Sequence, residues 1–341
     1  MKKLIILLIL FGCATPDDRP VPENGEALLN EFDVAQEEKD RFTFSEIQPT
    51  PAPVPEPRQQ SKELKPTPKP KKTPAPVKVV KPTKKLEPKR AWPEGYPELY
   101  KEFEAPAKVT WAKFKPLIRV GESVSFDISY LGIKAGTINF KVLDNGMRGD
   151  DLVHHFKATL SSADYYKYIY SLDDYVESFV MAETFLPLKY TLIQRESGQS
   201  VDELQLFDHE NLQNKQWFKK IKDGKTRKDD KTSFTPPLFL DPLSLLAFFR
   251  GLPLNNGDEY FVPIIVRSKV LKVTATVLAR ETVSALGKDR PAIKMSVYVD
   301  PTEDGKKPTT MNLWYSDSPS RELLRFNAEL KFGSVEGEWV K

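Results

Sequence analysis

Proline divides this chain before any other pattern does. Of 29 prolines in 341 residues, 17 lie in residues 1–97 and 12 in the remaining 244. From Pro49 to Pro97 they follow one another closely, removing amide donors and biasing each preceding residue toward extended backbone. That stretch reads as polyproline-II linker, so the hydrophobic core must come from the C-terminal part. Charge follows the same division. Residues 14–57 hold 3 basic and 11 acidic side chains, residues 58–90 hold 12 basic and 2 acidic, and the remainder from residue 92 holds 34 and 35. The formal charge of +3 therefore conceals two opposed blocks and a neutral domain. A neutral domain argues against nucleic-acid binding, which draws its affinity from many phosphate contacts. With one cysteine, neither an internal disulfide nor a cysteine-rich zinc site can form.

Residues 1–13 carry an address. Two lysines precede the apolar run Leu4 to Phe11, then Gly12 and Cys13 follow, as in an export signal. The run is too short to cross about 30 Å of hydrocarbon at 1.5 Å per residue. Leu10-Phe11-Gly12-Cys13 resembles the lipobox of bacterial lipoproteins, with Phe11 where a small residue is usual. The resemblance implies cleavage before Cys13 and acylation of it, and Ala14 is compatible with sorting to the outer membrane. The expected organisation is a signal peptide (1–12), a disordered charged tether (13–96) and a β-rich domain (97–341), held at the periplasmic face of the outer membrane. The 79 residues from Ala14 to Trp92 would span at most ~245 Å at ~3.1 Å each. Within the tether, Leu28, Leu29, Phe32 and Ala35 have helical spacing, suiting a short helix or a docking motif. The Lys/Pro block 58–90 suits contact with anionic peptidoglycan or lipid head groups, or serves as a self-repelling spacer.

Beyond residue 97 the pattern has period two. Val124, Phe126, Ile128 and Tyr130 alternate with Ser123, Ser125, Asp127 and Ser129, and Ile138, Phe140 and Val142 alternate with polar neighbours. Similar runs at 156–160, 188–192, 273–277, 293–299 and 311–315, with weaker ones elsewhere, give roughly eleven antiparallel strands. A sheet of that size curls or closes, so an all-β barrel-like fold is expected. One helix is signalled: Asp241 as N-cap, Pro242 in the first turn, Leu243 to Arg250 as body, and Gly251 as a left-handed stop. Its nearly all-round apolar surface suits a plug or cap of the barrel.

The stretch VGESVSFDISYLGIKAG (120–136), the helix region DPLSLLAFFRGLPLNNGDEY (241–260), Arg280-Glu281 and TMNLWYSD (310–317) together resemble the bacterial exported-protein family called domain of unknown function 3108. The resemblance covers nearly all of residues 118–338. It implies a β-rich, barrel-like, often lipid-anchored protein, and no catalytic residues.

Candidate chemistry is sparse. His154 and His155 are adjacent on a strand and so point to opposite faces, and His209 has no ligand spacing, so no metal and no cofactor are expected. No G-x-S-x-G or Gly-rich phosphate loop is present. Asp173, Asp174 and Glu177 offer an acid and a base, or a solvated strand end. Arg250 closes the apolar helix, where it complements the helix dipole or meets an anionic ligand group. Tyr166, Tyr168 and Tyr170 would share one face in extended geometry, giving an aromatic stripe for sugar rings or acyl chains, or for cross-strand packing. These features favour a non-enzymatic envelope lipoprotein that binds a hydrophobic or glycan ligand, or an envelope partner, through Tyr166, Tyr168, Tyr170 and Arg250. The alternatives are a structural tether from membrane to peptidoglycan, expected to have a filled barrel, and an envelope-polymer hydrolase built on Asp173 and Asp174.

Overall fold

The computed structural model describes residues 25–46, 91–302, 307–329 and 333–341. Cys13, the export signal and residues 58–90 lie outside the described residues. Two short helices, α1 (Ala27–Glu31) and α2 (Gln36–Arg41), precede β1 (Ser45–Glu46) and a longer helix, α3 (Glu98–Trp111). Eight strands follow: β2 (Ser123–Tyr130), β3 (Ile133–Arg148), β4 (Asp151–Ser162), β5 (Leu172–Met181), β6 (Pro187–Glu196), β7 (Gln199–Asp208), β8 (Gln213–Lys222) and β9 (Lys225–Phe234). After α4 (Pro242–Arg250) come β10 (Glu259–Val266), β11 (Lys269–Ala285), β12 (Lys288–Pro301), β13 (Thr309–Ser316), β14 (Leu323–Glu329) and β15 (Ser334–Trp339).

All sheet pairings are antiparallel, and the strands run β10 through β15, then β2 through β9, with β1 added to β3. The alternation that marks β2 in the sequence sets this geometry: Val124, Phe126, Ile128 and Tyr130 are buried and their polar neighbours face outward. The sheet curls into a barrel-like wall with β9 and β10 as its unpaired edges. Its seam is held by other means. Leu240 forms a single parallel bridge to Ile264, Arg267 donates to Gln194 at 3.3 Å, and Ser268 donates to Gln216 at 2.8 Å. The β9 edge carries Lys225, Arg227, Lys228, Asp229, Asp230 and Lys231, mostly exposed, a charged edge that discourages further strand addition.

One end of the barrel, the base, is closed by α4. Asp241 Oδ1 accepts from the amides of Leu243 and Ser244 at 2.8 and 2.9 Å, and Ser244 Oγ accepts from the Asp241 amide. The expected left-handed stop is corrected: Gly251 has φ −82°. Its glycine is required by space, because a Cβ there would lie 2.4 Å from the Lys115 carbonyl oxygen and the Phe114 ring. Helix α3 has its own apolar face of Tyr100, Phe103, Ala107 and Thr110. Pro106 inside it masks that spacing in the sequence.

The tether boundary also moves. Residues 25–46, read from the sequence as part of a disordered tether, pack on the outer face of β5 to β8 and belong to the same compact unit as residues 95–341. Leu28, Leu29, Val34 and Phe42 cover Tyr175, Phe179, Ile193, Leu204 and Leu206. Phe44 stacks on Phe179 at 4.3 Å, and Arg41 and Lys219 pair with Asp208 and Glu31 at 2.9 and 2.6 Å. Acidic residues in this segment meet basic residues of β8, so the block charge of the sequence serves docking. With this strap outside, β6 is buried at every position and β7 at nearly every one. Residues 47–90 therefore join two packed parts of one unit.

Candidate functional site

Side chains pointing into the barrel do not fill it. A cavity of about 250 Å³ lies between α4 and the opposite end, the mouth. It exceeds the roughly 150 Å³ apolar cavity that suffices to hold a benzene ring. Leu243, Leu246 and Ala247 of α4 form its floor, and Phe126, Ile138, Leu160, Leu192 and Leu313 are among its walls. Small residues, Ala135 and Ala158, stand where larger ones would close it. At Gly136 the space is taken by backbone, since a Cβ would lie 2.3 Å from the Ser161 carbonyl oxygen.

The mouth side is roofed by the β4–β5 connection. Tyr166, Tyr168 and Tyr170 do not take the extended geometry that would align them on one face. The segment is a helical turn, with the amide of Lys167 donating to Ala163 O and that of Tyr170 to Tyr166 O, at 3.1 and 2.8 Å. The period thereby changes from two to nearly four, so Tyr166 and Tyr170 turn onto the cavity while Tyr168 is 94% exposed.

One wall is polar. Tyr170 donates its hydroxyl to Glu196 at 2.7 Å, and Gln194 Nε2 donates to Asp174 and Glu196, both at 3.1 Å. Arg267 reaches Glu203 at 3.5 Å, and Glu203 also accepts from Gln205 and Gln216 at 2.9 and 3.0 Å. Burial, then the charge of Glu196, pushes the Asp174 carboxyl well above its usual range. Burial pushes Glu203 up as well, against the pull of Arg267. Both carboxyls are acceptors in this network, which partly offsets the cost of burying them. Gln194 and Glu196 were legible in principle, because they continue the same-face series Tyr190, Leu192. Glu203 and Arg267 carried no local signal, since strand register alone brings them together.

The other sequence candidates separate. Asp173 faces solvent, Asp174 the cavity, and Glu177 the strap side, so the three carboxylates do not converge as an acid–base pair. Glu177 accepts from the Gly25 amide at 3.1 Å and lies 2.5 Å from His155 Nε2. Burial would raise its pKa, but the hydrogen bond and charge of His155 bring it below the usual range. His154 faces inward to Asn145 at 2.9 Å and His155 stacks outward on Phe179, as strand alternation requires. His209 contacts the Pro187 carbonyl. Among the described residues, no three His, Cys, Asp or Glu side chains group to hold a metal ion. Arg250 borders the cavity floor, but its guanidinium is engaged: Nη1 and Nη2 donate to Glu122 at 2.9 and 3.1 Å, and Nη2 also to the Ser320 carbonyl at 3.0 Å. The anion it meets is internal.

A curled antiparallel wall, an internal cap helix and a largely apolar interior define a β-barrel-like protein with a ligand-sized cavity. Residues 125–340 match the family model described as protein of unknown function DUF3108, and the chain belongs to that family. Among solved structures it is similar to a β-barrel-like protein of domain of unknown function DUF1849 from Brucella abortus, with 12% identity, TM-score 0.43, and coverage of 66% of this chain and 98% of that one. It is also similar to a putative lipoprotein from Parabacteroides distasonis, with 8% identity, TM-score 0.29, and coverage of 67% and 97%. A third likeness is to the hypothetical lipoprotein YmcC from Escherichia coli, with 9% identity, TM-score 0.26, and coverage of 71% and 93%. These likenesses are too distant to carry a functional assignment. No curated protein sequence matches the chain.

Proposed function

We propose that this domain is a non-enzymatic carrier that captures an acyl chain or comparable hydrophobic group inside the barrel, on a protein held at the bacterial envelope by acylated Cys13. The observation that supports this reading is the apolar cavity of about 250 Å³. Apolar walls with a few convergent polar groups are the usual makeup of a small-molecule site. They favour a hydrocarbon over a glycan, which needs hydrogen bonds along its whole length. Asp174, Glu196 and Glu203 make the polar wall acidic, so the ligand's polar end is neutral or cationic rather than a free carboxylate. Tyr166 and Tyr170 stand where a chain would enter. The tether alternative calls for a filled barrel, and the hydrolase alternative for Asp173 and Asp174 acting together; the cavity argues against the first, and the opposite faces of Asp173 and Asp174 on β5 argue against the second.

Native mass spectrometry of the full chain, purified gently from envelopes, tests the reading. A stoichiometric lipid is expected in the parent protein and its loss in Ala158→Phe, whose ring would occupy the cavity. Ala158→Phe should cost under about 1 kcal/mol, less than the ~1–3 kcal/mol of overpacking a filled core. A protein empty under conditions that preserve a control lipoprotein complex, or a ligand retained unchanged in Ala158→Phe, would overturn capture.

A further inference from the structure

The mouth exposes an apolar surface, although Leu131 within it packs against Gly333. Among the described residues, five of the eleven large apolar side chains left exposed, Leu131, Ile133, Tyr165, Tyr168 and Ile169, lie on two adjoining mouth loops. The loops are joined by the Ala163 amide donating to Ala135 O at 2.9 Å and by the Tyr165 hydroxyl donating to Lys134 O. Leu131 is the most costly of the set. It occupies the first central position of the β2–β3 turn at φ 50°, with Gly132 at φ 77°, where asparagine or aspartate is cheaper in both backbone strain and solvation. Exposed apolar surface gathered at one end of a barrel marks an interaction site.

We infer that the mouth docks onto the surface of a lipid bilayer, with these five side chains entering the head-group region. Tyrosines beside aliphatic side chains are the composition that partitions at a membrane interface. Charge complements an anionic leaflet. Along the same rim, the β8–β9 hairpin holds Lys220, Lys222, Lys225, Arg227 and Lys228 against Asp223 and Asp229, the latter paired with Arg227 at 2.9 Å. Nearer the patch, Lys134 and Lys167 are balanced by Asp127 and Asp164. Ser197 donating to Ser171 O at 2.9 Å and Lys220 donating to Gln199 at 2.6 Å make the rim continuous from patch to hairpin. Chain length agrees. From an acylated Cys13, the twelve residues to packed Gly25 reach at most about 43 Å at ~3.6 Å each, far less than a tether running to residue 92. Only this leash draws on the anchor in the proposed function. The patch also adjoins Tyr166 and Tyr170 at the cavity roof, so a ligand passing between bilayer and cavity would stay out of water.

The full chain carrying Cys13→Ser is free of cysteine, so Tyr168→Cys can be labelled uniquely with an environment-sensitive nitrobenzoxadiazole. With vesicles of phosphatidylethanolamine and phosphatidylglycerol, a blue shift and a several-fold rise in emission are expected at position 168. Little change is expected for a label on Asp150→Cys in the base-side β3–β4 hairpin. Adding Leu131→Asp and Ile169→Asp should lower the position-168 response about tenfold, as expected for withdrawing apolar area from the interface. The Lys/Pro block is unchanged in every variant, so it cannot produce that difference. Equal responses at 150 and 168 would overturn docking. So would a concentration-dependent dimer that the two aspartates abolish, which would make the patch a contact between copies. The label reports position whatever the cavity holds, so docking and capture fail independently.

Discussion

The two ends of the barrel use side chains of similar chemistry in opposite ways. At the base, Trp111, Phe114 and Phe185 gather around Phe248 of the cap helix, with Phe114 stacked on it at 4.2 Å. The charged groups there pair close by: Asp241 caps the helix, Glu122 takes Arg250, and Glu322 accepts from Ser316 at 2.7 Å and from Ser320. At the mouth, aromatic and aliphatic side chains stand in water around the cavity roof. Closing a barrel at one end with packed aromatics allows the other end to keep apolar surface exposed, because stability is drawn from the base. The difference also gives the interior a direction, with the packed end at α4 and the exposed apolar end at the Tyr166 and Tyr170 roof.

The largest expected effect comes from breaking the base. Arg250 and Glu122 are 5% and 12% exposed at their side chains, so Arg250→Ala strands a buried carboxylate and should cost about 3–5 kcal/mol. Chemical denaturation checks this, and Glu122→Leu combined with Arg250→Met should recover much of the loss. Equal stability of Arg250→Ala and the parent would mean that the base is closed by packing alone.

The strap comes next. Leu28 is 1% exposed beneath the segment that covers β5 to β8, and Leu28→Ala should cost about 2 kcal/mol, the low end for a buried leucine because a strap can close around the gap. If residues 25–46 dock only loosely, the loss will fall within the ±0.5 kcal/mol of a surface change. Proteolysis should then cut the strap while the barrel survives.

The legibility of these regions follows from where their information resides. Strand alternation is written along single strands, so the wall, the cap helix and the opposed His154 and His155 could all be read from neighbouring residues. Tyr168 could not. Its period-two reading failed because a helical turn beginning at Ala163 replaces the strand, and the hydrogen bonds that hold that turn leave no compositional trace among its four tyrosines. The strap was half visible. Leu28, Leu29 and Phe32 have helical spacing, but the face that receives them is assembled from four strands far along the chain. The polar cavity wall lies deeper still, since Glu203 meets Arg267 only when the seam between β10 and the β6–β8 wall comes together.

The smallest effect sharpens the contrast through pH. Asp174 is buried on the mouth side with Glu196, Tyr170 and Arg267 nearby on its network, and Asp173 adjacent in sequence. Its carboxyl is raised well above its usual range, first by burial and then by the charge of Glu196. A raised acid holds its proton in the folded state after the unfolded chain has released it. Unfolding therefore releases a proton between the unfolded value near ~3.9 and the higher folded one, and stability falls as pH rises through that window. Glu322 at the base has the opposite sign. Burial favours its protonated form, but hydrogen bonds from Ser320 and Ser316 outweigh it and bring the pKa to about 2. Its contribution is complete above the unfolded value and is lost as pH falls toward 2. Asp174→Asn removes the mouth-side proton alone. Melting temperature measured from pH 4 to neutrality should decline less in the variant than in the parent, whatever the constant offset from rearranging the Gln194 hydrogen bond. Parallel curves would mean that Asp174 is already ionised when folded, and the polar wall would then present a fixed negative charge, favouring a cationic ligand head over a neutral one.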